Sequence, residues 1–492
     1  MSINAGNRIY IIGAGLAGIS IAKEIQGKEI LGRVVAFIDD SPSLIGTKIV
    51  NIPILGPIES VVELLKIKPD DEAIIAIPSG TNKEIRRIYN ILKRADFPGI
   101  KILPGISQIL EGDAHLIQTR EINPEDFLSR TPVKVSLKES LSYVRGKRVL
   151  VTGAGGSIGN ELSRQLLFGG AERLYLLGHG ENSIYEIDRE LRVFQEEQIG
   201  EKATIIPIIG ELQDRDYMFH IVKRLKANVV FHAAAYKHVS LMEENPIAAI
   251  QNNVFGTKNL LDASLSADVN RFVMISTDKA VEPSSVYGVS KYIAEQLVIN
   301  EHENNPDYLV VRFGNVLGSR GSILPIFSQQ ILKGGPLTIT DPNASRFFMT
   351  IPEAVSLVLK AGGIESNGSL YILDMGEPVK ITELANQMIK FYGFEPDKDI
   401  KIKFTKLKNG EKLTEKLWFD TESPEPTGFP KILKIVQNKS LNNNIKKLIL
   451  ELRQICFLDK SEPGMFRNRI ELKKILKKIA PLMEIPDDEP EY

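Results

Sequence analysis

Two stretches of the chain open in the same way. RIYIIGAGLAGISIAKEI at 8–25 and KRVLVTGAGGSIGNELSRQL at 147–166 each give an apolar strand, a glycine turn and an apolar pattern at helical spacing. No other feature constrains the fold as much, because a strand running through glycines into a helix opens a parallel βαβ unit. Short apolar runs follow: RVVAFIDD (33–40) and EAIIAIP (72–78) after the first, ERLYLLG (172–178) and NVVFHAAA (228–235) after the second. Continuous rather than alternating apolar runs belong to strands covered on both faces. The expectation is an α/β protein with two tandem Rossmann-like, doubly wound parallel sheets.

The first unit is expected over 1–119 and a linker over 120–146, where REINPEDFLSRTPVKVS carries two prolines and little periodicity. A catalytic unit follows over 147–438, with loops and helices added to its sheet after about residue 335. Over 439–492, KSLNNNIKKLILELRQICF and RNRIELKKILKKIAPLM read as amphipathic helices, and EIPDDEPEY as a solvated acidic tail. A net charge of −1 gives no electrostatic case for nucleic acid or a membrane surface. The one cysteine, Cys456, forms no intrachain disulfide. MSINAGNRIY lacks a signal-peptide pattern, and no apolar run reaches the roughly 18 residues of a membrane span. A cytoplasmic enzyme with no membrane span is expected. The six histidines form no H-x-x-x-H or E-x-x-H cluster, so no metal is expected; His232 and His238 read as packing or cofactor-pocket residues.

In the second glycine loop, Gly153 permits the tight turn, Gly156 lets backbone approach a pyrophosphate, and Gly159 lets helix pack on strand. The helix start then offers free N–H groups to phosphate. The second strand of this unit ends in Gly178 and His179, where an acid would hold an adenosine ribose. Its absence leaves room for a 2′-phosphate, so NADP stays open beside NAD. The first unit has the fuller fingerprint, Gly13, Gly15 and Gly18 with Asp39 ending the second strand. That reads either as a second nucleotide site or as a scaffold kept for assembly or regulation.

The chemistry concentrates in STDKAVEPSSVYGVSK, 276–291. Tyr287 and Lys291 share a helical face at i, i+4. A tyrosine is a base only as tyrosinate; its ordinary pKa is about 10, and a shift of about three units corresponds to ~4 kcal/mol. Lys291 and a cationic nicotinamide ring would supply it. Asp278 and Lys279 lie at the end of RFVMIST, and both face one substrate only if the strand has ended there. Once a sugar is oxidised at C4, its C5 proton is acidified. A base near C5 and an acid near the C6 hydroxyl then eliminate water. Lys279 suits the base if its pKa is lowered, Asp278 the acid if its own is raised.

These residues resemble a known family. The region 147–420 is similar to the nucleotide-sugar 4,6-dehydratases of the extended short-chain dehydrogenase/reductase superfamily, in the polysaccharide-biosynthesis branch acting on UDP-N-acetylglucosamine. The matching stretches include VLVTGAGGSIGNELSRQL, VVFHAAAYKHVSLMEENP, STDKAVEPSSVYGVSK, VVRFGNVLGSRGSILPIF, SRFFMTIPEA and NGEKLTEKL. The N-terminal unit resembles that of the family's longer members, in a soluble form. The resemblance implies an extended catalytic domain with a smaller C-terminal substrate-binding subdomain. It implies Tyr287 as C4-hydroxyl base, Lys291 as its electrostatic partner and Thr277 holding the C4 oxygen. Asp278 would protonate the C6 hydroxyl and Lys279 would take the C5 proton. The implied cofactor is NAD(P)+, with NAD favoured. It would be held by Gly153, Gly156, Ser157, Ile158, Gly159, His179, Glu211, Leu212, Ala233, Ala234, Ala235, Asn253, Tyr287 and Lys291. A nucleotide sugar, UDP-linked or GDP-linked, would be held by Lys237, Asn315, Val316, Arg320, Arg346 and Glu411. The LKNGEKL of this chain departs from the family's LRPGEKL, which blurs the distal contacts. A homo-oligomer is implied as well. The rival readings are a nucleotide-sugar 4-epimerase and a dinucleotide-binding sensor without turnover.

Overall fold

The structure is a computed structural model and describes residues 8–28, 32–77, 82–102, 141–197, 202–302, 305–364, 369–392, 394–437, 444–461 and 463–490. They fall in two compact units. One is Met1–Phe127 with Leu324–Ile339 and Thr382–Thr405, the other Leu128–Ile323 with Thr340–Ile381 and Lys406–Tyr492. Two segments of the expected 147–438 block therefore group with the first unit. Within that unit Leu337–Ile339 pairs in parallel with Ile402–Phe404, so the two insertions hold each other.

The first unit's sheet has strands β1 (Arg8–Ile12), β2 (Arg33–Ile38), β3 (Lys48–Ile49), β4 (Ile52–Leu55), β5 (Asp71–Ile75) and β6 (Gly99–Ile102). Their order is β3-β4-β2-β1-β5-β6, parallel apart from the β3–β4 pair. Strand residues alternate between two cores. Ile9, Ile11, Phe37 and Ile74 pack with Ile21, Ala22 and Ile25 of helix α1 (Leu16–Lys28). Tyr10, Ile12, Ile38 and Ile75 pack with Ile88, Ile91 and Leu92 on the other face. Both faces are covered, as the continuous apolar runs require.

The second unit's sheet has β7 (Arg148–Thr152), β8 (Arg173–Gly178), β9 (Thr204–Ile209), β10 (Val229–His232), β11 (Arg271–Thr277), β12 (Tyr308–Phe313), β13 (Leu370–Leu373), β14 (Glu422–Pro426) and β15 (Ile432–Gln437). The order is β14-β15-β13-β12-β11-β10-β7-β8-β9, with β14 and β15 antiparallel at one edge. Strand order reverses between β7 and β10, and such a switch point opens a crevice at the carboxyl ends of the strands. Helix α2 (Ser157–Phe168) follows β7, and α3 (Val286–His302) follows β11.

Residues 120–140 of the expected linker lie outside the described residues. Leu141 and Val144, also assigned to it, are buried in the second unit's core. Helices α4 (Ile445–Cys456) and α5 (Arg469–Ile479) place Leu448, Leu452, Leu472 and Leu476 in that same core. The tail is not simply solvated. The Glu489 side chain is 4% exposed and pairs with Arg469 at 2.7 Å and Lys473 at 2.6 Å. Burying cations on an otherwise apolar helix face draws a carboxylate in with them. Among the described residues no helix is long and apolar enough to cross a membrane, and no group of three His, Cys, Asp or Glu side chains could hold a metal.

Candidate active site

The glycine loop is shaped by steric necessity. Gly153 has φ +66°, and a Cβ there would lie 2.8 Å from the Ala234 backbone at the end of the neighbouring β10. At Gly159 a Cβ would lie 2.1 Å from the Gly153 carbonyl oxygen. Gly156 is the N-cap of α2 and makes no side-chain cap bond, so the helix's first N–H groups point into the crevice uncapped by a side chain of that residue. A cleft opens here, lined among others by Gly153, Gly156, His179, Glu211, Leu212, Ala233, Ala234 and Ala235. Ser157, Ile158 and Gly159 form the first turn of α2 behind it. A dinucleotide fits this cradle, because side chains are missing where its phosphates would pass. No carboxylate from the end of β8 lines the cleft; the carboxylate that does is Glu211, just after β9.

Several lining residues carry no sequence signal of their own. Gly155 is one: a Cβ there would meet Ser183 Oγ at 2.4 Å. His179 and Tyr236 meet edge to face with ring centroids 6.4 Å apart, and both line the cleft. Asn253 sits in a widened helical stretch, Ile250–Gly256, with π-type turns. It is buried, and its amide accepts from Tyr236 N–H (2.9 Å) and donates to Tyr236 O (3.0 Å) and Ser290 Oγ (2.9 Å). It thus ties the wall of the cleft to α3. Lys237 Nζ donates to the Arg320 carbonyl at 2.9 Å. Arg320 itself lines this cleft: its N–H donates to Ser157 Oγ (3.1 Å) and its guanidinium pairs with Glu186 (3.2 Å). Arg320, expected on the sugar side, lines the cleft at the glycine loop.

The reactive cluster lies where β11 ends. Thr277 is its last residue, and Asp278–Ala280 form a single 3-10 turn, so the strand has ended before the acid and the amine. The Thr277 hydroxyl donates to Asp278 Oδ1 at 2.9 Å. Lys279 Nζ donates to Asp278 Oδ1 and to Asn315 Oδ1, both at 2.9 Å, and lies 3.8 Å from Glu415 Oε1. Asp278 is fully buried and its Oδ2 has no hydrogen-bond partner among the described residues. A Cβ at Gly314 would come within 2.9 Å of that oxygen, so the glycine leaves it uncrowded on that side.

Tyr287 and Lys291 stand on the first turns of α3, both buried. Lys291 Nζ donates to the Ile275 carbonyl (2.8 Å), and burial pulls its pKa down to about 8 against the pull of Glu295. Burial pushes Tyr287 up to about 12; the charge of Lys279 and the nearby Thr277 side chain act against it. Lys279 is thus a cation that acts on Tyr287 beside the expected Lys291, whose ammonium donates to the β11 carbonyl. Lys279 also departs from expectation. Burial lowers its pKa, but Asp278 and Glu415 together more than reverse this, so it is raised. In this state Lys279 is an ammonium held between carboxylates.

The remaining sugar-side residues are brought near unevenly. Asn315 and Val316 lie on the short strand Asn315–Leu317 beside Lys279, with the Val316 carbonyl accepting from Ser319 at 3.2 Å. Arg346 donates to the carbonyls of Ser345 (2.7 Å), Leu413 (2.9 Å) and Lys412 (2.8 Å), so it braces the 412–413 backbone. Glu411 closes its own turn by accepting from Lys408 N–H at 3.2 Å. The carboxylate of that loop that reaches Lys279 is Glu415. Its i, i+3 spacing from Lys412 in GEKLTE is the signal that would have found it.

Residues 149–437 match the family of polysaccharide biosynthesis proteins. The chain belongs to that family. One family relative, described as a probable polysaccharide biosynthesis protein EpsC of Bacillus subtilis, is 42% identical over 430 residues, covering 87% of this chain and 71% of its own. A UDP-glucose 4-epimerase of Rickettsia canadensis is 32% identical over 283 residues, covering 55% of this chain and 77% of its own. Among solved structures, Pen from Bacillus thuringiensis superposes with a TM-score of 0.52 at 30% identity, covering 60% of this chain and 89% of that one. The family match spans β7 to β15, the same sheet whose carboxyl ends carry the cleft and the Thr277–Lys279 turn.

Proposed function

We propose that this chain is an NAD(P)-dependent nucleotide-sugar 4,6-dehydratase acting on UDP-N-acetylglucosamine, with GDP as the other nucleotide to test, in surface-glycan or modified-sugar biosynthesis. One observation carries the reading: a buried carboxyl with a free oxygen and an amine bonded to it share the site of Tyr287. Sugar oxidation alone needs neither group.

Bound in the Gly153–Gly159 cradle, the nicotinamide cofactor would supply hydride acceptance from C4 and its return to C6; NAD is favoured. Tyr287 takes the C4-hydroxyl proton, and the Thr277 hydroxyl, at the end of β11, holds the C4 oxygen. A proton shifted along the 2.9 Å bond from Lys279 to Asp278 turns the ion pair into an amine and a carboxylic acid, a coupled pair. The amine takes the C5 proton while Asp278 gives its proton to the C6 hydroxyl, which leaves as water. As hydride returns to C6, the Lys279 ammonium gives a proton back to C5, and the product is a 4-keto-6-deoxy sugar. The first unit serves assembly, regulation or a second nucleotide; there Asp39 accepts from Ala14 N–H at 2.7 Å in its glycine loop. A cytoplasmic homo-oligomer is the expected form.

The 4-epimerase reading is favoured by the UDP-glucose 4-epimerase relative. Lys279→Met separates the two. The dehydratase reading expects the variant to oxidise C4 in a single turnover, seen as reduced nicotinamide, and to release no water. Persisting water loss would show that another group takes the C5 proton; an unchanged sugar mass from the unaltered protein would favour the epimerase.

A further inference from the structure

The loop before β14 brings a second buried carboxylate to the amine. The Glu415 side chain is 3% exposed; Oε1 lies 3.8 Å from Lys279 Nζ and Oε2 3.1 Å from Lys412 Nζ. Oε2 has no hydrogen-bond partner among the described residues but stays within ion-pair distance of the Lys412 ammonium, which donates to the Val281 carbonyl at 2.6 Å. That bond and one from Ser284 Oγ to the Gly410 carbonyl (3.1 Å) stitch the Glu415 loop to the segment just after Lys279. The groups whose charge bears on Lys279 are Asp278, Glu415 and Arg346, with Asn315 as a neutral acceptor. A buried carboxylate paired with Lys412 on one oxygen, and held by a stitched loop with the other 3.8 Å from Lys279, is arranged to act on the charge of that amine.

We propose that Glu415 is a positioning residue for water elimination: it holds Lys279 at the end of β11 and stabilises the ammonium that forms when the C5 proton arrives. The inference rests on the dehydratase reading. In the reacting state the C5–H bond breaks and its proton joins the Lys279 amine. The electron pair becomes the C5=C6 bond as the C6–O bond breaks, and the departing oxygen takes the proton of Asp278 to leave as water. Asp278 has to be a neutral acid at the start of this step. It then offers little negative charge to the ammonium until its proton has gone. Glu415 is the carboxylate beside Lys279 that has no proton to give in the reaction and keeps its charge throughout. Its pull raises the basicity of the amine, and a stronger base takes the C5 proton faster. C4 oxidation involves Tyr287 and needs no proton transfer to Lys279, so Glu415 bears on one half of the reaction and not the other.

The test uses the full chain with bound NAD, UDP-N-acetylglucosamine and deuterated water. Reduced nicotinamide reports C4 oxidation, deuterium at C5 reports proton removal there, and product mass reports water loss. For Glu415→Gln we expect single-turnover oxidation within twofold of the unaltered protein, and C5 exchange and water loss slowed by about a hundredfold, the scale of a unit-charge interaction at this separation in a partly screened site. Glu415→Asp keeps the charge and is expected to recover at least tenfold of that loss, a rescue that a merely structural role does not give. Exchange and water loss at the unaltered rate in Glu415→Gln would overturn the proposal. So would an equal loss of oxidation and dehydration in both variants, which would make Glu415 a packing residue. If the unaltered protein oxidises the sugar but neither exchanges C5 nor loses water, the dehydratase reading falls and takes this inference with it.

Discussion

Glu489→Gln is a demanding test of how the second unit is closed. Glu489 Oε1 accepts from Arg469 Nε (2.9 Å) and Oε2 from Lys473 Nζ (2.6 Å), with both cations at most 5% exposed. Lys473 also lies 3.5 Å from Glu243 Oε2, and Glu243 Oε1 accepts from Val286 N–H at 2.7 Å, the first residue of α3. A line of charge therefore runs from the tail to the helix that carries Tyr287. The glutamine keeps one acceptor but removes the charge and turns N–H groups toward a buried cation. Breaking a buried pair from one side costs about 3–5 kcal/mol, because the partner is left uncompensated. At about 2–4 °C per kcal/mol, the second unit's unfolding midpoint should fall by roughly 10 °C. Thermal unfolding followed by near-ultraviolet circular dichroism reads this directly. A midpoint within about 1 °C of the unaltered protein, the range of a neutral surface change, would refute the argument and return Glu489 to a solvated tail.

Two further perturbations follow from the same kind of geometry. Gly159→Ala places a Cβ 2.1 Å from the Gly153 carbonyl; overpacking of this kind costs about 1–3 kcal/mol, and dinucleotide binding, read by fluorescence titration, should weaken with it, whereas unchanged affinity would mean that the loop does not hold the phosphates. His232 is buried between the Thr152 and Thr257 hydroxyls at 2.8 Å each, and burial, aided by Lys291, pushes it down to about 3. Its ring is neutral in the fold and takes a proton on unfolding, so its stabilisation is complete above the ordinary value of 6.5 and is lost as pH falls toward 3. Between about pH 7 and about pH 5 that amounts to about 2 kcal/mol. Urea midpoints for His232→Gln should lack this part of the acid slope, and equal slopes in both proteins would contradict it.

The parts of this molecule that were legible in the sequence are those that act locally. Apolar runs such as RVLVT and RFVMIST became buried parallel strands, and the glycine loops lie where strand meets helix. Tyr287, Lys291, Asp278 and Lys279 were legible because their spacing within one stretch of 16 letters fixes a helix face and a strand end. What stayed hidden joins distant parts of the chain. Arg312 is fully buried on β12, bidentate to Glu295 of α3 and bonded to Glu422 110 residues away. In the sequence it is one more arginine after a strand. Glu415 and Glu489 were hidden for the same reason, since loop closure decides which carboxylate reaches which cation. The direction of the Lys279 shift was not legible because a sequence shows the adjacent Asp278 and not the carboxylate of Glu415 that folds in behind it.

The central claim is that water leaves the sugar while the cofactor holds its hydride. Incubating the protein with NAD and UDP-N-acetylglucosamine and weighing the sugar nucleotide by mass spectrometry tests it most directly. The account predicts a product lighter by one water, carrying a 4-keto group. An isomer of unchanged mass, or no conversion of this substrate or its GDP-linked counterpart, would contradict it.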